Sequence, residues 1–159
     1  MKRFQTSWAS LLLLTLTVLL MGGLPAQAQD PEVFYCSIKK PRCRTEADTF
    51  ALQDLRDLYV FVTWPGLRGK HVQVVEFILP NGHLYERKET AFKLRRKKRQ
   101  KGQPFVTESR GVPTVITVLP VAGTFITQHG LSGTWTIRVF LDGELVQLSQ
   151  FTLTPDSAP

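Results

Sequence analysis

Residues 133–153 read GTWTIRVFLDGELVQLSQFTL, and this stretch decides the fold. Trp135, Ile137, Val139 and Leu141 recur at a period of two, which is the period of a strand with one buried face. Asp142 and Gly143 then interrupt the alternation with the residue pair that accepts positive φ in a two-residue hairpin turn. Such a turn predicts Val139 opposite Val146 and Ile137 opposite Leu148 on an apolar face, with Arg138 and Gln147 on the wet one. Beyond Ser149 the parity slips, because Phe151 and Leu153 fall on the other side from Val146 and Leu148. A β-bulge near Gln150 restores it.

Upstream, residues 71–92 (HVQVVEFILPNGHLYERKETAF) repeat the pattern around Pro80, Asn81 and Gly82. With Asn81 and Gly82 as the two turn residues, Leu79 meets Leu84, Ile78 meets Tyr85 and Glu76 meets Arg87. That last pair is an expected cross-strand ion pair worth a few tenths of a kcal/mol. LYVFVTW at 58–64 alternates as a further strand, and DTFAL at 48–52 is a short one followed by a turn over QDLRD. Helical turns compete for 45–58, since Phe50, Ala51 and Leu55 lie near helical spacing. TVITVLPVAGTFI at 114–126 carries Pro120 and Gly123, which suits an edge strand or a sharp crossing. There is no internal repeat and no sustained helical period beyond the N-terminus. The expected class is therefore all-β: two packed antiparallel sheets in which the two hairpins turn their apolar sides toward each other.

The residues VFVTWPGLRGKHVQVVEFILPNGHLY and LSGTWTIRVFLDGELVQLSQFTL together resemble the exported immunoglobulin-like β-sandwich modules of bacterial envelopes, over residues 48 to 153. The shared features are structural: a strand ending in an aromatic, a Pro-Asn-Gly turn, a Gly-x-Trp strand and an Asp-Gly turn. The resemblance implies an immunoglobulin-like sandwich with a subunit or docking role, and it carries over no catalytic residue. The two cysteines lie close together before the sandwich, unlike the paired cysteines with an intervening Trp of antibody domains.

Lys2 and Arg3 precede an apolar run that ends at Gly, Pro and Ala26-Gln27-Ala28, so residues 1–28 read as a secretory signal peptide. A membrane span needs roughly 20 apolar residues and different flanks. The remaining 131 residues suffice for one domain: an arm at 29–47, a β-domain at 48–154 with a basic loop at 93–113, and a frayed tail at 155–159. Cys36 and Cys43 are the only cysteines, and export into an oxidising compartment predicts a Cys36–Cys43 disulfide. Zinc is the competitor, but nothing in the chain completes a ligand set around them.

The formal charge of +7 is local in origin. Lys93, Arg95, Arg96, Lys97, Lys98, Arg99 and Lys101 fall within nine residues, and without them and the leader the chain is slightly acidic. Such a run neutralises phosphates and binds by releasing counterions. Export separates it from nucleic acid, and it lacks interleaved aromatics for base stacking. Anionic lipid, an acidic glycan or an acidic envelope protein fits better. Three further readings stay open: a solvated loop, a short helix with Glu89 four residues before Lys93, and a dibasic processing site.

Trp64 and Arg68 in WPGLRGK offer a partner contact, against a core position for Trp64. His71, His83 and His129 show no short ligand spacing, so neither metal nor cofactor is expected. Ser132 and Ser149 sit in no nucleophile elbow, and Asp54, Asp142 and Glu76 read as turn or sheet-face residues, so no enzyme is expected. The functional expectation is an exported, non-catalytic accessory module acting through an envelope or secreted protein partner. Polyanion or membrane-surface binding through 93–101 is the alternative.

Overall fold

The computed structural model describes residues 30–37, 47–94, 106–109 and 112–155. The expected leader, Cys43, Arg95 to Lys101 and the last four residues lie outside them. The chain is all-β, built as two sheets around one core. The strands are β1 (Val33–Cys36), β2 (Thr49–Ala51), β3 (Asp57–Thr63), β4 (Gly69–Ile78), β5 (Leu84–Leu94), β6 (Val106–Ser109), β7 (Val112–Pro120), β8 (Gly133–Leu141) and β9 (Glu144–Thr154). A 3-10 turn at Leu52–Asp54 follows β2, so the strand-and-turn reading of 48–57 describes the structure better than the helical one. Among the described residues one α-helical turn, α1 (Phe125–Gln128), is N-capped by Thr124, whose hydroxyl accepts from the Ile126 amide.

One sheet has the order β1-β3-β7-β6 and the other β2-β9-β8-β4-β5. Three expectations are corrected here. The two hairpins do not face each other across the core: β4 pairs directly with β8, so both lie in the larger sheet and their apolar sides meet the smaller one. β2 runs parallel to β9, with Phe50 opposite Leu153, so the sheets are not wholly antiparallel. These two strands are far apart in sequence and need no tight turn between them. β7 is an interior strand, because Pro120 is its last residue, where a missing N–H costs no ladder bond.

Both hairpin registers hold in part. Glu76 lies opposite Arg87, but Ile78 meets Leu84 because Tyr85 is looped out as a bulge. The turn is a residue longer than expected, closed by the Leu79 amide donating to the His83 carbonyl at 2.8 Å. Freed from the ladder, Tyr85 packs edge-on against Trp135 with ring centroids 5.3 Å apart. The Glu76 carboxylate takes its ion pair from Arg138 of β8, at 3.3 Å and too bent for a hydrogen bond. In the second hairpin the bulge sits at Val146 and not near Gln150: Leu145 meets Phe140, whereas Gln147 meets Val139 and Ser149 meets Ile137. Leu148 therefore turns outward and is 58% exposed, while Phe151 and Leu153 turn in.

Residues 93–113 are not one loop in their described parts. Lys93 and Leu94 complete β5, and Val106 begins β6 opposite Val115, with both valines in the core. Core residues come from both sheets, among them Leu58, Val60 and Val62 of β3 and Val75, Phe77, Trp135, Ile137 and Val139 of β4 and β8. Two polar bridges cross it. Gln73 of β4, 1% exposed, accepts from the Trp64 indole at 2.9 Å and donates to the Thr117 hydroxyl of β7 at 3.2 Å. Tyr35 of β1 donates to Ser149 of β9 at 2.5 Å, and burial pushes its phenol up to about 12.

Candidate binding site at the cationic end of the larger sheet

The loop PGLRG carries the chain from β3 into β4, and β5 runs back beside it. The register places Gly69 opposite Leu94 and Lys70 opposite Lys93. The two contact elements expected from sequence, WPGLRGK and the basic run, thus issue from the same end of one strand pair. Arg68 lies just before β4, and Arg95 to Lys101 follow directly on Leu94, outside the described residues. This register sets two ammonium groups side by side at the end of the strand pair. A cleft of about 420 Å³ opens here, with Lys70, Lys93, His71 and Asp142 as polar lining and Val72 and Ala91 as apolar lining.

Asp142 is the residue whose role here is not legible as turn chemistry alone. It adopts φ 50 and Gly143 φ 93, the two positive values that the tight turn requires. β8 ends opposite Gln73, so Val72, paired with Ala91 of β5 on one side, would lack a strand partner on the β8 side. Asp142 supplies one: its amide donates to the Val72 carbonyl at 2.9 Å, and its carboxylate accepts from the Val72 amide at 2.9 Å. The other carboxylate oxygen accepts from His71 Nδ1 at 2.7 Å, and His71 Nε2 donates to the Arg68 carbonyl at 2.7 Å. Both ring nitrogens thus face acceptors, the arrangement suited to an imidazolium. Because Nε2 is taken by a carbonyl, this His–Asp pair holds no nucleophile, and it pins the Arg68 loop to the hairpin turn instead.

Burial by itself would lower the His71 pKa, but the hydrogen bonds to Asp142 and Arg68 and the Asp142 charge outweigh it and raise it above 6.5. The His71 bond, the Val72 amide and the imidazolium charge lower Asp142 below 3.8. A raised histidine stabilises fully below its unfolded value and ceases to do so as pH rises through its folded one. A lowered carboxylate stabilises above its unfolded value and loses that as pH falls through its folded one. The pin is therefore strongest between about pH 4 and pH 6.5. His71→Gln is expected to lower the melting temperature more at about pH 5 than at about pH 9. A pH-independent difference in thermal melts would contradict the pin.

Trp64 is in the core at 3% exposed with its N–H given to Gln73, so no indole face meets a partner there and Arg68 alone represents that contact pair. Cys36 is buried at the end of β1 and is disulfide-bonded. Cys43 lies outside the described residues, so the pairing of the two rests on the sequence. His71, His83 and His129 are not gathered: His83 lies at the far end of the β4–β5 hairpin, and His129 follows α1 against Phe125. Among the described residues no group of three His, Cys, Asp or Glu side chains is placed to hold a metal ion. Among them, too, no helix is long and apolar enough to cross a membrane.

No known family model matches the chain, and no curated protein is similar to it in sequence. Among solved structures it is similar to the Pseudomonas fluorescens alkylpurine DNA glycosylase AlkC bound to DNA containing an abasic site analog. The TM-score is 0.36 and the identity 13%, over 78% of this chain and 30% of that one. This chain thus spans less than a third of the glycosylase's length, and a likeness of that degree carries no argument about fold or activity.

Proposed function

We propose that the protein is an exported, non-catalytic binding module of the cell envelope, an immunoglobulin-like β-sandwich that engages an anionic component through the cationic end of its larger sheet. The observation that supports it is the Lys70–Lys93 register, which sets Lys93, the first residue of the basic run, beside the end of the WPGLRGK loop. Recognition by loops on a rigid β-frame is the common arrangement. The geometry favours the polyanion alternative over a specific protein partner, because Lys70 and Lys93 both line a small, largely apolar cleft.

The test is retention on immobilised heparin across a salt gradient. Each Lys or Arg near an anionic surface contributes about 1 kcal/mol. The triple variant Lys97→Ala, Lys98→Ala, Arg99→Ala is then expected to bind about a hundredfold more weakly, and Lys70→Glu at least tenfold. Binding that ignores both the salt and these substitutions would remove the electrostatic reading.

A further inference from the structure

Along β4 the side chains of Val75 and Phe77 enter the core, so Lys70, Val72, Val74 and Glu76 belong to the outward face of the larger sheet. Following the register outward gives successive rows. Lys70 pairs with Lys93 and Val72 with Ala91; Val74 lies beside Phe140 and then Leu145; Glu76 lies beside Arg138 and then Leu148. Val72, Val74, Phe140, Leu145 and Leu148 therefore share one apolar face adjoining the two lysines, in which Val74 is buried, Val72 and Phe140 are half-buried and the two leucines are open to solvent. Leu145 and Leu148 are 51% and 58% exposed, two of the four large hydrophobics most open to solvent among the described residues. Leu148 is there because the bulge at Val146 reversed the parity of β9, whereas Leu145, on the turn side of the bulge, keeps the outward place opposite Phe140 that strict alternation gives it.

We infer that this face and the cationic end together form a footprint for an anionic lipid bilayer, with Leu145 and Leu148 dipping into the headgroup boundary and Lys70 and Lys93 at the phosphates. This rests on the anion-binding reading of the same end. Lipid fits the chemistry better than an acidic protein does. Protein interfaces are enriched in Tyr, Trp and Arg and depleted in Lys. Here the two exposed apolar groups, Leu145 and Leu148, are aliphatic and carry no hydrogen-bonding atom, and lysines lie at the border of the same face, their stems able to lie along acyl chains while the ammonium groups stay at the headgroups. The acids of this face are Glu76, held by Arg138, and Glu89, opposite Val74; Asp142, at its border, is held by His71.

The experiment is co-sedimentation of the exported, cleaved protein with vesicles of phosphatidylcholine alone or mixed with phosphatidylglycerol, run beside the heparin column. Binding is expected only with the anionic lipid. The double variant Leu145→Ser, Leu148→Ser is expected to reduce it about fiftyfold and to leave heparin retention and the melting temperature unchanged. Two results overturn the bilayer footprint while leaving the anion-binding reading in place: a double variant that sediments like the parent, or a parent that binds heparin but not vesicles. Loss of both activities in the parent overturns the two together.

Discussion

Trp135→Ala is expected to cost about 3–5 kcal/mol of stability, the range for deleting a fully buried indole. The ring is 0% exposed, packed between Tyr85 and Phe151 at centroid distances of 5.3 and 5.8 Å. Its N–H donates to the Leu131 carbonyl at 3.2 Å. In a urea titration the midpoint should fall by about 2 M. The informative control is Leu148→Ala. If strict alternation governed β9, Leu148 would face Ile137 in the core, and its truncation would cost about 2–5 kcal/mol. With the bulge at Val146 it is exposed, and the change should stay within about 0.5 kcal/mol. A large loss at Leu148 together with a small one at Trp135 would refute the observed register.

The second large effect concerns Gln73, which unites the sheets by a polar bridge instead of an apolar contact. Gln73→Leu removes the acceptor of the Trp64 N–H and the donor to the Thr117 hydroxyl, both in buried residues. Leaving a buried polar group unsatisfied costs about 1–3 kcal/mol, so the two together should cost about 2–4 kcal/mol. Adding Thr117→Val removes one of the stranded groups, and the double variant should then be no less stable than the single one. Denaturant titrations of the four members of this cycle decide it. Additive losses from the two substitutions would mean that Gln73 and Thr117 do not share a bond. Because Trp64 stands at the end of β3, where the chain turns toward the cationic end, Gln73→Leu is also expected to loosen the loop that carries Arg68.

Local chemistry written in consecutive residues was legible. The period-two runs at 58–64, 71–79, 84–92 and 133–141 became strands, and Asp142-Gly143 became a two-residue turn because only those positions needed positive φ. The Pro80-Asn81-Gly82 turn was legible as a turn but not in its length, since the Tyr85 bulge answers to the packing demand of Trp135, far away in the chain. The bulge at Val146 is of the same kind. Phe151 and Leu153 required a parity change somewhere in β9, and only the shape of the core chose where it fell. At the candidate site the positive charge was plain from composition, whereas the His71–Asp142 pin joins residues 71 positions apart and left no local trace.

Sequence alone determined that the described chain is all-β and where its strands turn, because backbone conformation and side-chain alternation are set by near neighbours. Tertiary structure alone decided that both hairpins share one sheet through β4 and β8, that β7 is an interior strand, and that Lys70 faces Lys93. Strand partners are chosen by which apolar faces can be buried at once, and that quantity belongs to the assembled core and to no segment of the chain.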